Sequence, residues 1–161
     1  MAAWQFKLVP IPKSWLDSGG ELDALYEVDG LETRQCWLSY RNPMLVGGLG
    51  KLLPRSESWH PQLLTWGSTQ SDDIQLFVED DAVVSLFIRF DLRRNNKSLF
   101  AALVECMKDY GLVALVPDLR RVVEPDMSAL QNLARTSDAA RFVADPQAFL
   151  ASIDSAHARE T

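Results

Sequence analysis

The chain has 161 residues, 47% apolar and 24% charged, with 22 acidic against 16 basic side chains and a net charge of −6. That length suits one domain with one sizeable core, and the apolar content excludes a disordered chain. An acidic chain repels phosphate backbones, so no nucleic-acid partner is expected; a basic protein surface, or simple solubility, accounts for the charge.

At the N-terminus, "MAAWQFKLVPIPK" lacks a basic segment followed by an unbroken apolar run, so it does not read as a signal peptide. No stretch approaches the roughly 18 apolar residues of a membrane-spanning helix. A cytoplasmic location without membrane contact is therefore the expectation. Trp4, Phe6 and Leu8 alternate with Gln5 and Lys7, which predicts a strand ending before "PIP". Leu31 to Tyr40 reads as a second strand with Cys36, Leu38 and Tyr40 on one face. The segment "NPMLVGGLGKLLPRSESWHPQLLTWGS" mixes helical and turn signals and reads as loop-rich, with a short helix near Met44 to Leu53.

The centre of the chain is the most regular. Ile74, Leu76 and Val78 share one face of a strand, and Asp73, Gln75, Phe77 and Glu79 the other. Val84, Leu86, Ile88, Phe90 and Leu92 form the apolar face of the next run, opposite Val83, Ser85, Phe87, Arg89, Asp91 and Arg93. Two alternating runs around a short acidic stretch predict a β-hairpin over about 74–93. A two-residue loop would mix the faces, so the preferred register has a three-residue loop, Asp80-Asp81-Ala82, pairing Val78 with Val84, Leu76 with Leu86 and Ile74 with Ile88. It sets Asp73 across from Arg89 and makes Phe77 and Phe87 diagonal neighbours. Alternation sends Asp73 and Glu79 to the solvent face.

Apolar residues at helical spacing predict a helix from Lys97 to Tyr110, started at Asn95 or Asn96 and ended at Gly111. "LVALV" reads as a buried strand and "RRVV" as a short one. Capping signals at Asp126, at Thr136 to Asp138 and at Asp145-Pro146 make the C-terminal third helical. The expected architecture is a single α+β domain, an antiparallel sheet with helices mainly on one face. Within residues 1–161 it divides into a loop-rich half with short strands (1–70), a hairpin–helix–strand core (71–125), C-terminal helices (126–154) and a frayed tail (155–161).

Motifs for chemistry are absent. "GGLGK" lacks the first glycine and the final hydroxyl of a phosphate loop and reads as a flexible turn. "WGS" is not a nucleophile elbow; a triad of Ser68 and His60 has no supporting spacing. Asp73 and Glu79 lie too far apart along a strand to share an ion, and Glu105 and Asp109 have no second cluster. Cys36 and Cys106 read as buried small hydrophobes, with neither disulfide nor zinc spacing. No catalytic residue, metal or cofactor is expected.

What remains is a non-catalytic protein-binding protein. By size, charge and missing chemistry it is comparable to bacterial immunity proteins, which neutralise a toxin by tight binding; that is an analogy only. The partner surface would comprise Glu79, Asp80 and Asp81 at the hairpin tip with Phe77, Phe87, Arg89, Trp59 and Trp66 as neighbours and anchors. An alternative is a small-molecule-binding or enzymatic domain with its pocket near His60 and Trp66. A third is a dimeric structural or accessory subunit joined through the hairpin edge; the protein is expected to be monomeric or homodimeric.

Overall fold

The computed structural model describes residues 2–157, with side chains through residue 153. The predicted hairpin forms strands β6 (Asp73–Glu79) and β7 (Ala82–Asp91) and lies inside the sheet, not at its edge. In chain order the preceding elements are β1 (Gln5–Pro12), α1 (Lys13–Asp17), a 3-10 turn (Leu22–Leu25), β2 (Tyr26–Glu27), β3 (Gly30–Leu31), α2 (Arg34–Trp37), α3 (Leu45–Leu49), β4 (Arg55–Ser56) and β5 (Leu63–Gly67). After β7 come α4 (Lys97–Asp109), β8 (Leu112–Val116), a 3-10 turn (Pro117–Leu119), β9 (Arg121–Val123), α5 (Met127–Thr136), α6 (Asp138–Ala144) and α7 (Pro146–His157). The main sheet is seven-stranded and antiparallel in the order β4-β5-β6-β7-β1-β8-β9, and β2 pairs with β3 apart from it. The α+β class, the antiparallel sheet and the helical C-terminal part agree with the sequence reading. Of the tail expected over 155–161, residues to 157 belong to α7, and residues 158–161 lie outside the described residues. Among the described residues no helix is long and apolar enough to cross a membrane.

The register of the hairpin combines both loops weighed from the sequence. Asp73 to Phe77 pair with Arg89 to Ser85 as expected, but Val78 pairs with Val83 and Glu79 with Ala82. The loop is therefore the two-residue Asp80-Asp81, and Val84 is the extra residue of a β-bulge that restores the faces. Asp80 and Asp81 both have positive φ, 48° and 62°, as a tight primed turn requires. The bulge leaves the Val84 carbonyl free of the ladder, and the buried Thr33 hydroxyl at the start of α2 donates to it at 3.4 Å.

β1 does not stop before its prolines. Gln5 to Leu8 pair with β7, then Val9 to Pro12 pair with β8 on the other side. The Lys13 amide donates to Gly111 O, so odd-numbered amides at this end face β8 and positions 10 and 12 face away. The missing N–H groups of Pro10 and Pro12 thus fall on the side where pairing with β7 has ended. Residues 31–40 are not one strand: β3 ends at Leu31, and Arg34–Trp37 is a helical turn that buries the adjacent Cys36 and Trp37 while Leu38 is exposed.

The inner face of the sheet carries Phe6, Leu8, Leu76, Leu86, Ile88 and Phe90, all buried. α4 covers it, its Phe100 stacked on Phe90 with centroids 4.0 Å apart. Of "GGLGK", Gly47 to Leu49 belong to α3, within the helix expected near Met44 to Leu53, and Gly50 and Lys51 form the turn that follows. Gly48 sits in α3, and a Cβ there would come within 2.3 Å of the Tyr110 ring at the end of α4, so glycine permits the close approach.

Candidate functional site

The outer face of the hairpin bears most of the candidate residues, and the structure divides them into two groups. The first is an ionic cluster at the end of β7. Asp73 is only 2% exposed and takes the Arg89 guanidinium on both oxygens, while Gln75 donates to it at 2.8 Å. Asp91, 1% exposed, accepts from Arg93 Nε at 2.8 Å and Nη2 at 2.7 Å. Asp72 Oδ1 accepts the Asp91 amide at 2.7 Å. The expectation that Asp73 faces solvent is thus wrong: cross-strand pairing with Arg89 supplies the charge compensation that burial demands.

The electrostatics follow from these contacts. Hydrogen bonds from Arg93 hold the Asp91 carboxyl below its ordinary range. Burial outweighs the Asp91 amide and Arg94 at Asp72 and pushes its carboxyl up. Lys7, opposite Arg89 on β1, has its ammonium 4.5 Å from the centre of the Phe87 ring. Burial lowers its pKa, against the attraction of Asp118 and with the repulsion of Arg89. Arg89 is therefore committed to Asp73, and Phe87, half-buried, to Lys7.

The second group lies toward the hairpin tip. Phe77 stacks with His60 at 5.5 Å, and Trp59 sits edge-on to His60 at 5.6 Å. The Gln62 amide donates to His60 Nδ1, so the neutral ring carries its proton on Nε2. Ser58 Oγ donates to His60 O and accepts the His60 amide, which closes the loop on itself. Trp59 is 80% exposed, with its ring edge-on to His60. Asp80 and Asp81 lie three and four residues beyond Phe77, roughly 10 Å along the strand. Both are exposed and have no cation at ion-pair distance among the described residues. Glu79 differs: Arg34 of α2 binds it at 2.7 Å and holds its carboxyl low.

Trp66 leaves the candidate surface. It is 3% exposed, pairs with Ile74 on the inner face and lies under the Arg55 guanidinium. His60 and Trp66 thus address opposite faces of the sheet, and neither lines the main cavities. The expected pocket lined by both is not among these cavities. Ser68 and His60 stand at opposite ends of β5, separated by roughly 17 Å of strand. Among the described residues no three of His, Cys, Asp and Glu are grouped to hold a metal. Cys36 and Cys106 are buried free thiols, pushed by burial to about 12 and about 11. β5 pairs along β6 from Asp73 to Phe77, and β1 pairs along β7 from Ile88 to Asp91, so strand pairing already occupies these parts of the hairpin's edges.

One part of the surface was missed in the sequence. A cleft of about 370 Å³ separates the tip residues Asp80 to Val83 from Tyr40 to Pro43 in the loop between α2 and α3. Leu38 and Met44, on either side of that loop segment, are exposed large apolar residues. Their signal was obscured by the strand assigned to residues 31–40, which placed Leu38 inside. No protein-family model, curated protein or solved structure matches the chain.

Proposed function

We propose that this chain is a non-catalytic protein-binding protein of the immunity type, acting in the bacterial cytoplasm to neutralise a toxin with a basic surface. The observation that carries the proposal is the juxtaposition at the hairpin tip: an exposed indole edge-on to His60, His60 against Phe77, and two unpaired carboxylates roughly 10 Å beyond Phe77 along the same strand. An aromatic side chain has few rotatable bonds, so an indole anchor loses little conformational freedom on docking. Free carboxylates at a turn steer and select a basic partner. The cleft beside Tyr40 and the exposed Leu38 and Met44 extend the same surface. Trp59, Phe77, Asp80 and Asp81 are the residues assigned to contact; Arg89 and Trp66 support the scaffold.

The test uses three baits on extract from the native host: wild type, Trp59→Ala, and the double variant Asp80→Lys with Asp81→Lys. The expected result is one partner retained by wild type, weakened by each variant and released by added salt. A partner whose affinity ignores salt and survives both variants overturns the assigned surface.

A further inference from the structure

On the other side of the sheet, at the opposite end of β7 from the hairpin tip and roughly 30 Å from it along the strand, lies a larger cavity of about 490 Å³. It is formed where the turn after β7 and the first turn of α4 meet α5 and α6. The volume falls in the range of small-molecule sites.

Its lining has two parts. Leu92, Phe100, Ala134, Ala140 and Val143 make an apolar floor. Among the described residues, the charged side chains around it are Arg94, Lys97 and Arg135, and no carboxylate lines the cavity. In a chain with 22 acids to 16 bases such a set runs against the overall composition. The other two cavities each mix both signs, Arg41 with Asp80 and Asp81, and Lys51 with Glu105 and Asp109.

These cations are differently committed. Arg94 donates to Ser71 Oγ at 2.6 Å and lies within the field of Asp72 and Asp91. Among the described residues, the Arg135 side chain donates to the neutral Asn132 amide oxygen, at 3.3 Å, and has no carboxylate at ion-pair distance. Lys97 has no carboxylate at ion-pair distance among the described residues. The start of α4 adds to the same charge. The Asn96 side chain donates back to Asp91 O and does not cap the helix, and Asn95 Oδ1 accepts the Lys97 amide at 3.1 Å, so the partial positive charge of the helix start beside Lys97 is carried by the amides that follow it.

We propose that this cavity binds a small amphipathic anion: a compact apolar body carrying one carboxylate or phosphate. The body would displace water from Phe100 and Val143, and the anion would meet Lys97 and Arg135. The site is separate from the protein-binding surface and stands or falls independently of it.

The test is a titration of the ¹⁵N-labelled full chain, followed by amide shifts, with octanoate, octyl phosphate, octanol and inorganic phosphate. Octanoate or octyl phosphate, or both, should produce saturable shifts centred on residues 94–100, 131–135 and 140–144; the tighter of the two identifies the headgroup. Octanol and inorganic phosphate should bind at least about tenfold more weakly, each lacking one half of the recognition. Lys97→Gln with Arg135→Gln should weaken the anion by a similar factor. Both side chains are exposed, so the variant should fold, and its unchanged spectrum elsewhere checks that. Octanol equal to octanoate, inorganic phosphate equal to octyl phosphate, shifts centred elsewhere, an unaffected double variant, or no saturation by either amphiphile would each overturn the proposal.

Discussion

Arg89 and Phe90 are neighbours on β7 whose side chains point to opposite faces of one sheet, and they are held by different physics. Phe90 is fully buried on a ring and aliphatic neighbours. Its contribution is summed over many weak contacts and depends on volume. Arg89 is held by one directional partner, Asp73, and its contribution depends on that partner's charge. The inner face therefore makes the domain cohere, whereas the outer face offers separately adjustable contacts. A surface that must meet something else can be built only on the second kind.

The largest expected effect tests the inner face. Phe90→Ala should cost about 3–5 kcal/mol by urea unfolding, with no recovery when Phe100 is also truncated. A loss near 1 kcal/mol would mean that α4 collapses onto the gap. Next, Arg89→Met should cost about 3 kcal/mol, since it strands the buried Asp73 carboxylate. Adding Asp73→Leu should recover most of that loss, and strictly additive losses in the double-mutant cycle would refute a coupled pair.

A smaller effect separates the acids of the ionic cluster. Burial raises the Asp72 carboxyl in the folded state, so its contribution is fully present below the unfolded value near about pH 3.9 and is lost as pH rises through the folded value. Asp72→Asn keeps the acceptor for the Asp91 amide. It should therefore raise Tm at about pH 7 and leave it unchanged near about pH 3. Asp91 has the opposite sign: Arg93 depresses its pKa, so its contribution is present above the unfolded value and is lost as pH falls through the folded one. The smallest change concerns the turn. Asp81 has φ 62°, and Asp81→Gly should stabilise by about 0.5 kcal/mol, because relief of the left-handed conformation exceeds glycine's added chain entropy. Measured destabilisation would mean that the Asp81 side chain itself secures the turn.

The elements legible in the sequence were those with a single local cause. Alternation placed β6 and β7 on their faces, and the capping residues at Asp126 and Ser137 accept first-turn amides as their positions implied. The bulge escaped because Val83 and Val84 are adjacent and both β-branched, so nothing in the pattern says which one is extra. β1 escaped at its prolines because one strand changes partner midway, a property of the sheet and not of the segment. α2 escaped because Cys36, Leu38 and Tyr40 alternate by chance, while the burial belongs to Cys36 and Trp37 side by side. At the candidate site, Phe77, Asp80 and Asp81 could be placed from register alone. The pairing of Arg89 with Asp73 followed from register as well; the commitment of Glu79 did not, since it depends on Arg34, which is remote in sequence.

The switch of β1 from one partner to another also sets an order of assembly. Gln5 pairs with Asp91 and Val9 with Leu115, so the first strand of the sheet must wait for partners from the second half of the chain. Until β1 enters, β4 to β7 form one half-sheet and β8 with β9 another, each with an open edge facing the gap. Closure of so long a loop is slow, and open edges are templates for wrong pairing between chains. The step most exposed to aggregation is therefore the insertion of β1, and a substitution that weakens this strand should harm the yield of folded protein more than the stability of molecules that have already closed.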